Sequence, residues 1–213
     1  MSDELTLRVS ELFYSLQGEG GRAGEPSLFV RLQGCSAKHA CFASGVRCDT
    51  EFESGEAVSL PALAGRLVEL VGLPAERRCR WIVWTGGEPL DQLTPAHLAF
   101  FRALGYRQAV ETSGVRPLTK ALAAEFDWVT LSPKVAEHVL AKTWETGPHE
   151  LRYVRHAGQG IPEPALKAAY YYLSPHSDGF TLNDANVRHC VRLCLAHPEW
   201  RMSVQQHKVW TLL

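Results

Sequence analysis

Apolar residues recur along the chain in short runs, separated by stretches whose apolar positions are spaced three and four apart. Eight runs read as strands: 5–13, 28–33, 81–85, 108–112, 128–132, 150–154, 170–173 and 202–205. Helical spacing predicts helices over 60–71, 95–103, 119–125, 134–141, 164–169 and 183–197. The last is the clearest. Val187, Cys190, Val191, Cys194 and Leu195 fall on one face, Asn183 or Asp184 can cap the start, and Pro198 lies just beyond the end. Strands alternating with helices predict parallel pairing with helical crossovers. A complete eight-unit barrel takes about 250 residues, and this chain has 213. The expected fold is therefore α/β, an incomplete, shortened (β/α) barrel of about six core parallel strands. No repeat or Pro/Gly-rich linker divides the chain, so residues 1–213 read as one domain. In such a fold, functional groups collect on loops after the carboxyl ends of the strands.

Composition narrows the classes of function. Hydrophobic residues make up 46% and charged residues 21%, enough for a sizeable core. A formal net charge of −1 supplies no general attraction to nucleic acid or to an acidic membrane. No run approaches the roughly 20 apolar residues that span a bilayer. The opening MSDELTLRVS lacks the basic-then-apolar pattern of a secretory signal. A cytoplasmic location is expected, where six cysteines are thiols or metal ligands rather than disulfides.

Three of those cysteines, Cys35, Cys41 and Cys48, fall within 14 residues directly after the second predicted strand. Soft thiolates suit iron–sulfur clusters, and three of them leave one iron of a four-iron cluster open to another ligand. The loop alone is equally compatible with a zinc site completed by His39 or with three thiols that bind nothing. Cys79 precedes its strand and so belongs at the opposite face. Cys190 and Cys194 lie one helical turn apart on an apolar face, where cysteine packs as a small hydrophobe. The next strand runs into TGGEP, Thr85 to Pro89. Paired glycines there let the backbone approach a ligand closely. A cysteine loop followed one strand–helix unit later by TGGEP is far more specific than either piece.

At this point the chain resembles the radical S-adenosylmethionine enzymes, and more narrowly the 7-carboxy-7-deazaguanine synthase family. The resemblance rests on LFYSLQGEG (12–20), LFVRLQGC (28–35), CDT (48–50), TGGEP, VETSG (110–114), LSPK (131–134) and SVQQHK (203–208). It implies conversion of 6-carboxy-5,6,7,8-tetrahydropterin to 7-carboxy-7-deazaguanine. That reaction is a ring contraction started by a 5′-deoxyadenosyl radical, with loss of ammonia, in queuosine or related deazapurine biosynthesis. The resemblance further implies a [4Fe-4S] cluster on Cys35, Cys41 and Cys48, and Mg²⁺ on Thr50. It places S-adenosylmethionine against Gly87, Ser113, Ser132 and Lys134, with Glu111 beside them. Substrate would meet Leu16, Gln17, Gly18, Thr85 and Arg31, the last through its carboxylate, which a planar guanidinium fork suits. An electron-donating reductase and a homodimer are also implied, with no nucleic-acid or membrane partner.

The chain departs from the family pattern in places. The usual Cys-x3-Cys-x2-Cys spacing is widened to five and six intervening residues, and Gly45 would let the added residues bulge outward. Arg47 replaces an aromatic residue before the third cysteine, and Gln206 stands where QTHK would have threonine. Ser174 opens an SPH stretch in place of Gln-Pro, and the chain ends in Leu213 rather than proline. Two other functions fit parts of the pattern: an activase of a glycyl-radical enzyme, and a zinc-stabilised binding module without catalysis.

Overall fold

A computed structural model describes residues 5–43, 51–72, 79–179 and 181–210. Among these residues eleven strands form: β1 (Thr6–Leu16), β2 (Pro26–Leu32), β3 (Glu56–Ser59), β4 (Trp81–Gly86), β5 (Arg107–Thr112), β6 (Trp128–Leu131), β7 (Glu150–Arg155), β8 (Tyr170–Pro175), β9 (Ser177–Asp178), β10 (Thr181–Leu182) and β11 (Trp200–Met202). Seven α-helices accompany them among the described residues: α1 (Lys38–Ala43), α2 (Leu60–Val71), α3 (Pro95–Ala103), α4 (Lys120–Ala123), α5 (Glu137–Thr143), α6 (Asp184–Ala196) and α7 (Gln206–Val209). Nine strands make one sheet in the order β11-β8-β7-β6-β5-β4-β2-β1-β3. From β2 to β11 every neighbouring pair is parallel, while β1 runs antiparallel to both β2 and β3. Among the described residues β3 and β11 are edges, so the sheet stays open, as expected of a shortened barrel.

Side chains alternate across each strand, and the two faces take opposite chemistry. Leu28, Val30 and Leu32 of β2, Ile82 and Trp84 of β4, Val129 and Leu131 of β6, and Leu151 of β7 point outward and are buried. They pack under Leu63 and Leu67 of α2, Leu98 and Phe101 of α3, and Leu140 of α5. Trp84 meets Phe101 edge-on at 5.2 Å between centroids. Its indole N–H donates to Gln108 Oε1 at 3.1 Å, and the Gln108 amide donates to the Leu98 carbonyl at 2.8 Å, which satisfies the polar atoms of this layer. The concave inner face carries Arg31, Thr85, Glu111, Thr130, Glu150 and Arg152, one or two from each strand.

The expected elements shift where caps and prolines act. Helix α6 starts as predicted, with Asn183 Oδ1 accepting from the backbone of Ala185 and Asn186, each at 3.1 Å. Helix α2 is capped by Ser59 and stopped by Gly72 at φ 81°. The helix predicted over 164–169 does not form. Its backbone N–H groups are taken by side chains instead: Ala165 N–H donates to Glu137 Oε2 at 2.8 Å and Ala168 N–H to the Tyr171 hydroxyl at 3.1 Å. Pro162 and Pro164 also bias the residues before them away from helix. Helix α5 begins three residues later than predicted, because Lys134 N–H donates to the Ser113 carbonyl at 2.9 Å. The strand predicted over 202–205 lies earlier, at β11, and the chain enters α7 by Gln206. The first strand extends to Leu16 and turns back as a hairpin with β2, the one long departure from parallel order.

Candidate active site at the carboxyl ends of the strands

A cavity of ≈ 160 Å³ opens on the inner face of the sheet. Leu16, Gln17, Gly18, Arg31 and Thr85, the residues expected at substrate, all line it. Glu111, expected beside the cofactor residues, lines it too. Phe13, Phe29, Glu19, Arg152 and His207 complete most of the wall. Arg31 lies on the more open side. It pairs with Glu11 at 3.2 Å and sits 5.2 Å over the Phe13 ring, and Phe13 in turn stacks on Phe29 at 4.9 Å. The deeper side is a charged lattice. Gln17 Nε2 donates to Glu111 Oε1 at 3.0 Å, and Arg152 donates to the other Glu111 oxygen. Burial pushes the Glu111 carboxyl up to about 7, against the opposing pull of Arg152. Burial works against the Arg152 charge, but Glu111, Glu19 and Glu150 outweigh it and hold the guanidinium protonated.

The segment that carries Leu16–Gly18 is fixed from three sides. Glu150 Oε2 accepts from Gly21 N–H at 2.7 Å, and its other oxygen accepts from the Thr130 hydroxyl at 3.0 Å. Ser203 accepts from Gly20 N–H at 2.9 Å. Gly20 has φ 70°, and a Cβ there would lie 2.1 Å from Glu150 Oε1, so only glycine fits this close approach. From the far end of the chain, Gln206 N–H donates to the Gly18 carbonyl at 2.9 Å, and His207 packs so tightly that a Cβ on Gly18 would meet its Nδ1 at 2.3 Å. The SVQQHK segment thus closes the cavity against LQGEG.

TGGEP and the cysteine loop join through backbone. A Cβ on Gly87 would lie 1.8 Å from the Gly34 carbonyl oxygen and 2.8 Å from Cys35 Cβ. Gly87 N–H donates to the Leu32 carbonyl at 3.1 Å and Glu88 N–H to the Gly34 carbonyl at 3.0 Å. Glu88 is fully buried and ties this joint to the next strand. Its carboxyl oxygens accept from the Thr112 hydroxyl at 2.6 Å, Ser113 N–H at 2.9 Å, Leu90 N–H at 3.1 Å and the Ser113 hydroxyl. Ser132 N–H donates to Thr112 and Lys134 N–H to Ser113, both at 2.9 Å, so Gly87, Ser113, Ser132 and Lys134 form one continuous rim. Beside it lies a second cavity of ≈ 330 Å³ lined by Lys134, Pro133, Tyr153, Arg155, His156 and, from the cysteine-bearing helix α1, Ala40.

The cysteines divide by place. Cys35 and Cys41 are partly exposed at this mouth, on either side of the first turn of α1. Cys48 and Thr50 lie outside the described residues. Cys79 is buried at the amino ends of the strands, with its thiol 3.2 Å from the Pro26 carbonyl. Cys190 is fully buried beneath α6, and burial pushes its thiol up to about 11, as it raises that of Cys194. Thiols held protonated in the core are poor metal ligands.

Glu19, Glu150, Arg152 and His207 were not predicted as site residues. The signal for two of them is visible in β7, which reads Glu150-Leu151-Arg152-Tyr153. Charges at alternate positions of a buried parallel strand mark a polar barrel interior. Glu88 had no such signal, since its role depends on Thr112 and Ser113 folding against it.

No family model matches the chain. Curated relatives do: it is 36% identical to the 7-carboxy-7-deazaguanine synthase of Caulobacter vibrioides, over 96% of this chain and 98% of that protein. It is 33% identical to the enzyme of that name from Burkholderia multivorans, over 96% and 98%. A third, from Bordetella pertussis, is 36% identical over 94% and 96%. The crystal structure of QueE from Escherichia coli shares the fold, with a TM-score of 0.65 at 23% identity over 93% of each chain. With a third of its residues identical across nearly its whole length, and with the motifs among the described residues gathered around one mouth, the chain belongs to the 7-carboxy-7-deazaguanine synthase family.

Proposed function

We propose that this chain converts 6-carboxy-5,6,7,8-tetrahydropterin to 7-carboxy-7-deazaguanine with loss of ammonia, as a radical S-adenosylmethionine lyase of deazapurine biosynthesis. The observation that carries the reading is the convergence of Leu16, Gln17, Gly18, Arg31 and Thr85 on one cavity, with Gly87, two residues beyond Thr85, packed against Gly34 and Cys35. The donor set fits a four-iron cluster. Cys35 and Cys41 are partly exposed thiols at the mouth and would hold the cluster together with Cys48, while the buried thiols stand apart. Gly87, Ser113, Ser132 and Lys134 would hold S-adenosylmethionine along the rim that Glu88 braces. The Ser113 hydroxyl already donates to Glu88, so it would receive rather than give a hydrogen bond there. When bound, cluster and cofactor together supply a hydrogen-abstracting radical, chemistry no side-chain base can perform.

The chain's own residues bind and orient. Arg31 holds the substrate carboxylate and would exchange its partner Glu11 for it. Thr85, the Leu16–Gly18 backbone and Gln17 position the ring, and His207 shields it from the carboxyl-terminal side. Thr50 would supply a hydroxyl oxygen to Mg²⁺, a hard ion that prefers oxygen donors. Glu111 is assigned to the substrate wall. Residues 1–213 act as one domain, most simply as a homodimer reduced by a separate reductase. Among the described residues no helix is long and apolar enough to cross a membrane, and a thiolate-held cluster suits the reducing cytoplasm.

Anaerobically reconstituted protein with a chemical reductant should turn the carboxylated pterin into a deazaguanine, read by mass and absorbance. Mg²⁺ should raise that turnover, and Thr50→Val should lose the response while keeping the cluster. Cofactor cleavage with the pterin left intact would overturn the reading in favour of an activase. Colourless, zinc-loaded protein would overturn it in favour of a binding module.

A further inference from the structure

The inner face gathers three carboxyl groups around one guanidinium. Arg152 donates to Glu111, lies 3.6 Å from Glu150 Oε1 and 3.8 Å from Glu19 Oε2, and is 9% exposed. Its Nη1 makes no hydrogen bond among the described residues. Glu150 is occupied twice, by Gly21 N–H and the Thr130 hydroxyl, and is 1% exposed. Glu111 differs from both. It keeps 19% exposure and lines the cavity that Gln17 and Arg31 also line.

We propose that Arg152 is a positioning residue that holds Glu111 against Gln17, and that Glu111 gives up a proton when a ligand bearing paired N–H donors enters this cavity. The inference rests on the substrate reading above, since an aminopyrimidinone ring presents such donors at the end away from its carboxylate. Arg31 and Glu111 would then grip opposite ends of one ligand. The charges facing Glu111 are Glu19 from the loop after β1, Arg22 from the turn that follows, Arg31 from β2, Glu150 and Arg152 from β7, and His207 from α7. Without ligand, three acids share one close guanidinium in a largely buried site, and one proton relieves the excess. The raised position of the Glu111 carboxyl, about 7, agrees with this arrangement. Ligand N–H groups replace that proton, which passes to solvent, and the carboxylate then accepts their hydrogen bonds. No bond other than the carboxyl O–H breaks.

Calorimetric titration of the reconstituted enzyme, with S-adenosylmethionine and no reductant, tests this in buffers of different ionisation enthalpy. Binding of the carboxylated pterin should release about one proton at pH 6 and almost none at pH 8. Glu111→Gln should release none at either pH. Arg152→Gln removes the cation that opposes the raised carboxyl, so release should persist at pH 8, an effect that loss of packing alone would not produce. Should that variant not fold, Arg152→Lys keeps the charge without the fork. It should bind the pterin about tenfold more weakly with the parent's pH profile. A carboxylic-acid stretch in the infrared spectrum of unliganded protein at pH 6, absent from Glu111→Gln, should accompany these results. Binding without proton release, or no such infrared band, would overturn the proposal while leaving the substrate reading standing. Failure of the pterin to bind would overturn the substrate reading, while the infrared band would still report on the protonated carboxyl.

Discussion

Val110 and Glu111 are neighbours on β5, yet one side chain joins the core under the helices and the other ends in a charged cavity. The same division runs along β4, where Trp84 is fully buried outward and Thr85 lines the cavity, and along β7, where Leu151 and Arg152 part in the same way. The outer face is held by apolar contact and gains stability from being filled. The inner face holds buried charge, which seldom stabilises a fold relative to apolar packing of the same shape. Residues that stabilise and residues that act therefore alternate one by one along each strand. A substitution and its neighbour should give opposite readouts.

The sharpest separation pairs Trp84 with Arg31. Trp84→Ala empties the space against Phe101 and strands Gln108, and should lower unfolding free energy by about 3–5 kcal/mol. Chemical denaturation of the metal-free protein measures it, and a loss below about 1 kcal/mol would mean the outer layer is not where the fold is held. Arg31→Ala should do the reverse. Its pair with Glu11 is partly exposed and contributes at most about 1 kcal/mol to stability. Removing the guanidinium from a ligand carboxylate should weaken pterin affinity by about 2–5 kcal/mol. Equal pterin affinity in variant and parent would take Arg31 out of the site.

How much of this was legible depended on whether a signal was local. The strands β4 through β8 lie near their predicted places because their apolar outer positions repeat over several residues. Strand β3 and helix α1 are four and six residues long, too short to show a period. Residues 164–169 carry a helical pattern but lose the helix to Glu137, distant in sequence, and to Tyr171, on the strand that follows. In the site, Leu16, Gln17, Gly18, Arg31 and Thr85 were named from motifs, and the fold brings these five to one cavity. The lattice of Glu19, Glu150 and Arg152 needed the register of β7 against the loop after β1. The charges of Glu150 and Arg152 were in plain view, but only the sheet shows that they meet Glu111.

Glu88 lies at the seam between the two faces and should show an intermediate effect on both readouts. Four donors converge on its carboxyl group, two of them from Ser113. Glu88→Gln keeps the shape but turns an N–H₂ group toward those donors, at a cost of about 1.5–3 kcal/mol. Because the seam carries Gly87 and Ser113, S-adenosylmethionine affinity should fall more than pterin affinity. Equal loss for both ligands would mean that Glu88 supports the whole mouth rather than the rim.

The smallest effect compares thiols on the two sides. Cys190 is fully buried where α6 packs on the outer face, and burial holds its thiol protonated. Cys190→Ala removes one sulfur atom from that layer, so stability should fall by about 1 kcal/mol, as for other small deletions from a core. Iron bound per chain after reconstitution should not change. Cys41→Ala, at the mouth, should do the opposite. Its side chain is only partly buried, so the metal-free protein should unfold as the parent does, while the brown absorbance and cofactor cleavage are lost. Each variant alters a single thiol, and only position in the fold distinguishes them. Loss of iron in Cys190→Ala with intact secondary structure would make Cys190 a ligand and break the division between faces. Full iron content in Cys41→Ala would move the cluster off α1.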